Sequence, residues 1–120
     1  MSLTKQIDHF VRTPIEDRLQ RSARYLSQNP SKVPVLLVNT HKGIELVKYK
    51  YLLPKDFTVI RLIAMVKKVG NCRPEEAVYM YANNKILKND MTLEMAYELY
   101  KESDGFLYIK MTSMPTFGSH

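Results

Sequence analysis

Three histidines, one cysteine and a glycine near the C-terminus are the residues through which this 120-residue chain could do chemistry. His9, His41 and His120 fall in an N-terminal segment, a turn and the tail, and none has the spacing of a metal pair or of a nucleophile's base. Cys72 stands beside Arg73, whose charge favours a thiolate, but a small side chain following a helix is better read as a packing residue. A lone cysteine allows neither an internal disulfide nor a cysteine metal cluster, and it suits a reducing compartment. The four glycines are scattered, so no phosphate-cradling loop is formed. Catalysis has little to stand on, and neither a metal nor a cofactor is expected. Gly118 differs in kind. Without a Cβ it can thread a narrow channel, and its carboxylate, once uncovered, meets little steric opposition to acyl transfer. The same residue can also belong to a frayed tail. Its meaning depends on the elements that carry it.

Those elements belong to one domain. A chain of this length buries about two-thirds of its unfolded surface, and 45% hydrophobic with 25% charged residues is an ordinary globular balance. The N-terminus lacks the apolar core of a signal peptide, and the apolar run over 33–38 is far too short to cross a bilayer. A soluble, cytoplasmic protein is expected. The net charge of +6 is asymmetric: residues 1–60 hold 10 Lys/Arg against 5 Asp/Glu, residues 61–120 hold 8 against 7. Nucleic acid, anionic headgroups or acidic peptides should therefore prefer the first half. The nucleic-acid signal is weak, because Asp104 stands before Gly105-Phe106-Leu107-Tyr108 where an RNA-recognition strand needs a basic residue. No specific nucleic-acid partner is expected.

Thr13-Pro14-Ile15-Glu16 reads as a helix opening with a capping box, and Asn29-Pro30 ends that helix. Ile15, Leu19, Ala23 and Leu26 recur at helical spacing as its apolar stripe, with Arg18, Arg21 and Arg24 on another side. A short, mobile helix is expected over 4–11. Strands are expected over 32–39 and 44–53, joined at Thr40-His41-Lys42-Gly43 and stopped by Pro54. Thr58 can cap a core helix carrying Val59, Leu62, Ile63, Met65 and Val66 and closed by Gly70. Strands over 78–82 and 85–87 flank an Asn83-Asn84 turn. Thr92 can cap a short helix to Tyr100, and Ser103-Asp104-Gly105 leads into a last strand over 106–111. This order describes an α+β fold, the ubiquitin-like β-grasp: a mixed sheet with a helix across one face and additional N-terminal helices. A sheet has two faces to cover. The helix opening at Pro14 is the expected cover for the second face. The domain is expected over 13–114, between a mobile segment at 1–12 and a flexible tail at 115–120.

The second strand carries large side chains on both faces: Lys48, Lys50 and Leu52 on one, Val47, Tyr49, Tyr51 and Leu53 on the other. In a β-grasp this strand lies at the sheet edge. Its lysines can guard that edge against aggregation. They can equally draw the acidic residues of an incoming peptide strand. The residues alone leave both readings open.

Taken together, the chain resembles the autophagy ubiquitin-like modifiers, the family of the GABA-receptor-associated protein and of microtubule-associated light chain three. The pieces that carry the likeness are Lys32-Val33-Pro34-Val35, Lys50-Tyr51-Leu52-Leu53-Pro54 with Phe57-Thr58-Val59, Asn83-Asn84, and Asp104-Gly105-Phe106-Leu107-Tyr108 leading to Thr116-Phe117-Gly118. The resemblance implies trimming by a cysteine protease after Gly118, with Ser119-His120 removed. It implies activating and conjugating enzymes that join Gly118 to the amine of phosphatidylethanolamine, and so a place on autophagosomal membranes. It also implies binding of aromatic-x-x-aliphatic peptides of cargo receptors as an added edge strand. Pro34, Leu36, Lys50, Leu52 and Phe106 match the family's pocket for the aromatic residue. Tyr51, Leu53, Pro54, Phe57, Leu62 and Met65 match the pocket for the aliphatic one, and Lys48 on the second strand counts with them among the peptide-binding residues. Ile15 and Arg21 depart from the aromatic and acidic residues the family usually has on its N-terminal helix. Two rival readings remain: a peptide-binding module that is never conjugated, and a modifier joined to a protein lysine.

Overall fold

The computed structural model of the chain describes residues 2–115, so Gly118 and the rest of the tail after Pro115 lie outside the described residues. In chain order these form α1 (Leu3–Arg12), α2 (Ile15–Gln28), β1 (Lys32–Asn39), β2 (Lys50–Pro54), α3 (Val59–Val69), β3 (Tyr79–Ala82), β4 (Lys85–Ile86), α4 (Leu93–Tyr100) and β5 (Leu107–Thr112). The strands make one mixed sheet in the order β2-β1-β5-β3-β4. β5 runs parallel to β1 and antiparallel to β3, while β2 pairs with β1 alone and leaves its other edge open. This is the ubiquitin-like α+β fold.

Local chemistry sets most boundaries. The Thr58 hydroxyl accepts the Arg61 N–H at 3.3 Å and the Thr92 hydroxyl accepts the Met95 N–H at 3.2 Å, which opens α3 and α4. Gly70 closes α3. Asn83 and Asn84, with φ of 51° and 62°, make the two-residue turn between β3 and β4. Apolar side chains on the β1 positions Val33, Val35 and Leu37 join Leu62 and Val66 of α3 in the larger core. Leu36 points to the other face, where it meets Phe10 of α1 and Phe106 in a smaller cluster.

Three expectations are corrected. Thr13 does not cap α2: it ends α1, donating its hydroxyl to the His9 carbonyl at 3.3 Å, and α2 starts behind Pro14 without a side-chain cap. The stripe Ile15, Leu19 and Ala23 is exposed, while Ser22 is buried and Arg18, Tyr25 and Leu26 are half-buried. The cause lies far along the chain. The Asp104 carbonyl accepts the Ser22 hydroxyl at 2.7 Å and its carboxylate accepts from Arg18 at 3.0 Å, which turns the polar side of α2 inward. Finally, the second strand begins at Lys50, six residues later than the alternation suggests. Ile44 is drawn into the core, and the Glu45 N–H donates to the Gly70 carbonyl at 3.0 Å, so residues 44–49 run along the end of α3.

Candidate functional site

The open edge of β2 is the center of the site. Pairing of Leu36 with Lys50 and of Pro34 with Leu52 puts Lys50 and Leu52 on the face covered by α1 and α2. Pairing of Val35 with Tyr51 and of Val33 with Leu53 puts Tyr51 and Leu53 on the α3 face. The alternation of one strand thus feeds two depressions.

The first is a groove of about 360 Å³ lined by Tyr25, Pro34, Lys48, Lys50, Tyr51, Leu52 and Phe106. Its floor is fixed from behind. The ring of Phe106 meets that of Phe10 edge-on at 5.2 Å, and the Phe106 N–H donates to Asp104 Oδ1 at 3.0 Å. Asp104, 1% exposed, also accepts from the Tyr108 hydroxyl at 2.6 Å and from Arg18 at 3.0 Å. Burial first, and then the hydrogen bond to Asp104, hold the Tyr108 phenol well above the usual tyrosine range, against the opposing pull of Arg18. Gly105 permits the turn, with φ of 82° and its Cα packed against Ser22.

The rim of this groove is cationic. Lys50 Nζ lies 5.0 Å from the Phe10 ring center and 5.7 Å from that of Tyr49, and Lys48 Nζ lies 5.2 Å from that of Tyr51. Burial and the nearby Arg21 push the Lys50 ammonium below its usual value. Among the described residues neither lysine nor Arg21 has a carboxylate at ion-pair distance. An anion arriving here would meet Lys48 and Lys50 on the lining, with Arg21 near Lys50 at the Phe10 ring, and its charge would be met without rearranging an existing ion pair.

The second depression, about 280 Å³, lies on the α3 face and is lined by Leu46, Val47, Lys48, Tyr51, Met65 and Val69. Burial raises the Tyr51 phenol above its usual value, and its hydroxyl donates to the Lys48 carbonyl at 2.9 Å.

Of the residues expected from the sequence, Pro34, Lys48, Lys50, Tyr51, Leu52, Phe106 and Met65 line one groove or the other. Leu36, Leu53 and Leu62 are buried core residues and line neither. Phe57 packs half-buried on the larger core with Arg61 over its ring, and Pro54 ends β2. Gly118 lies outside the described residues. The sequence reading missed Tyr25, Leu46, Val47 and Val69 as lining residues and Phe10 as support. Tyr25 was within reach, since it lies four residues after Arg21 on the basic flank of α2. Val69, 59% exposed at the end of α3, and Val47, 93% exposed in the segment before β2, are apolar side chains that the sequence pattern reads as buried. That exposure emerges only once residues 44–49 are placed.

No helix among the described residues is long and apolar enough to cross a membrane. The family model described as autophagy protein Atg8 ubiquitin like matches residues 17–118. Autophagy-related protein 8A of rice, Oryza sativa subsp. japonica, is 33% identical over 108 residues, covering 88% of this chain and 91% of that protein. Autophagy-related protein 8 of Dictyostelium discoideum is 32% identical over 109 residues, covering 88% and 89%. The crystal structure of Trypanosoma brucei ATG8 superposes with a TM-score of 0.79 at 28% identity, covering 90% of this chain and 95% of that one. The chain belongs to the Atg8 family of ubiquitin-like autophagy proteins.

Proposed function

We propose that this Atg8-family chain is a non-enzymatic modifier joined through Gly118 to the amine of phosphatidylethanolamine, and that it tethers cargo receptors to autophagosomal membranes by adding their peptides to β2. The observation that carries the reading is the open backbone edge of β2, set between two grooves on opposite faces that share Tyr51. An extended peptide on this edge alternates its side chains between the faces. Its aromatic residue fits the groove over Pro34, Leu52 and Phe106. Its aliphatic residue, three positions on, fits the groove at Leu46, Val47, Met65 and Val69. The cations Lys48, Lys50 and Arg21 favour acidic residues flanking the aromatic one.

Conjugation rests on the family and on the position of Gly118, with a cysteine protease and activating and conjugating enzymes as partners. One acyl chain gives only marginal membrane affinity, about 10⁴ M⁻¹ for myristate, whereas phosphatidylethanolamine supplies two chains in one step. The basic first half can add about 1 kcal/mol per Lys/Arg held close to an anionic surface.

Intact mass of the protein from its own cells tests the covalent step. A form that ends at Gly118 and carries lipid supports it, and Gly118→Ala should abolish that form while peptide binding survives. A uniformly full-length chain contradicts conjugation, and a larger species resistant to phospholipase points to a protein lysine as acceptor.

A further inference from the structure

Two cations converge on one buried ring behind the first groove. Lys50 Nζ lies 5.0 Å and the Arg21 guanidinium carbon 5.9 Å from the ring center of Phe10, whose ring packs edge-on against the floor residue Phe106 at 5.2 Å. Arg21 stands one helical turn before Tyr25, which lines the groove, so both side chains leave α2 on the same side. Burial first, and then the repulsion of Arg21, push the Lys50 ammonium below its usual value. No carboxylate relieves that repulsion. Asp17, one turn before Arg21 on α2, forms no ion pair with it among the described residues, and Asp104 behind the floor is already held by Arg18 and the Tyr108 hydroxyl. The positions of the cations also differ. An acidic residue flanking the anchor of a docked peptide lies along the strand and meets Lys48, whereas an anchor ring that enters from the β2 edge points its far end toward Phe106 and the two cations gathered on the ring behind it.

We infer that the first groove selects an anchor whose ring itself bears an anion, a phosphotyrosine, and that Arg21 and Lys50 set this preference. The inference rests on the docking of peptides to β2 proposed above. A tyrosine phosphate adds a charge of about −1.5 to −2 at neutral pH and three acceptor oxygens. Arg21 can meet two of them through the planar fork of its guanidinium, and Lys50 supplies a point charge. The ring keeps the contacts of a phenylalanine with Pro34, Leu52 and Phe106, so the added group changes specificity and leaves the apolar seat as it is. A groove of about 360 Å³ is large enough for a ring with a phosphate. Lys50 is half-buried before any ligand arrives, so part of its desolvation is already complete and the attraction acts at a lower dielectric than in water. Docking would then be switched on by phosphorylation of the partner's tyrosine.

Calorimetric titration of the full chain with three peptides tests the inference. They differ only at the anchor, which is phenylalanine, tyrosine or phosphotyrosine, and carry uncharged flanking residues with leucine three positions on. At low salt the phosphotyrosine peptide should bind at least about tenfold more tightly than the tyrosine one, and the gap should narrow as salt rises. Arg21→Glu should erase or invert the preference and Lys50→Gln should reduce it. Lys88→Glu, an exposed charge change beyond β4 at the opposite edge of the sheet, should leave it as it is. Tighter binding of the phenylalanine or tyrosine peptide than of the phosphotyrosine one overturns the inference and leaves docking on β2 intact. A phosphotyrosine preference that survives both Arg21→Glu and Lys50→Gln overturns it as well. If none of the three peptides slows amide exchange in β2, the docking reading itself fails and this inference falls with it.

Discussion

The two faces of the sheet are built on different principles. On the α3 face Val33, Val35, Leu37, Leu62, Val66, Leu107 and Ile109 form a continuous aliphatic core. On the other face, among the described residues, Phe10, Leu36 and Phe106 alone form a buried apolar cluster, and α2 is fixed by the polar contacts of Arg18 and Ser22 to Asp104. The first arrangement is non-directional and tolerant of drift. The second sets angles and distances, and it is the face on which the aromatic rings and cations of the larger groove are assembled. Stability is concentrated on one side of the sheet and geometric precision on the other.

The contrast can be broken from either side. Leu62→Ala, which opens a cavity in the aliphatic core, should lower the free energy of unfolding by about 3 kcal/mol in denaturant titration. Asp104→Ala should cost about 2 kcal/mol by stranding Arg18, the Tyr108 hydroxyl and the Phe106 N–H, and it should loosen the first groove more than the second. Methyl and aromatic NMR linewidths at Phe106 and Met65 would show the difference. Tyr108→Phe sharpens the comparison through pH. A phenol whose proton is held more tightly in the folded state contributes stability that is complete below the usual tyrosine value of about 10 and is lost as pH rises above it. The substitution should cost about 1 kcal/mol at neutral pH and reduce the alkaline fall in stability. An unchanged alkaline slope would mean that the Tyr108–Asp104 bond does not anchor this face.

Legibility followed the same division. The aliphatic face was readable, because Thr58, Thr92, Gly70 and the Asn83-Asn84 turn announce its elements through local chemistry. The parity of β2 was readable too, and with it the assignment of Lys50 and Leu52 to one face and Tyr51 to the other. The orientation of α2 was not, since helical spacing marks Ile15 and Leu19 as the inner stripe and only Asp104, distant in sequence, pulls Arg18 and Ser22 inward. Leu36, Leu53 and Leu62 were matched to pockets through the family resemblance, and a matched position reports a face but not a depth. His41 is brought beside Cys72 and Glu76, which share one loop, by the fold alone.

Amide hydrogen exchange on β2, with and without a peptide bearing acidic residues before a phenylalanine-x-x-leucine core, tests the docking account most directly. The account predicts slowed exchange over residues 48–53, with matching perturbation at Tyr25, Phe106, Met65 and Val69, and a loss of affinity of about tenfold in Lys50→Glu. Binding that leaves the β2 amides unprotected and is indifferent to Lys50→Glu would contradict it. The lysines would then be guards of the edge, and the peptide surface would lie elsewhere.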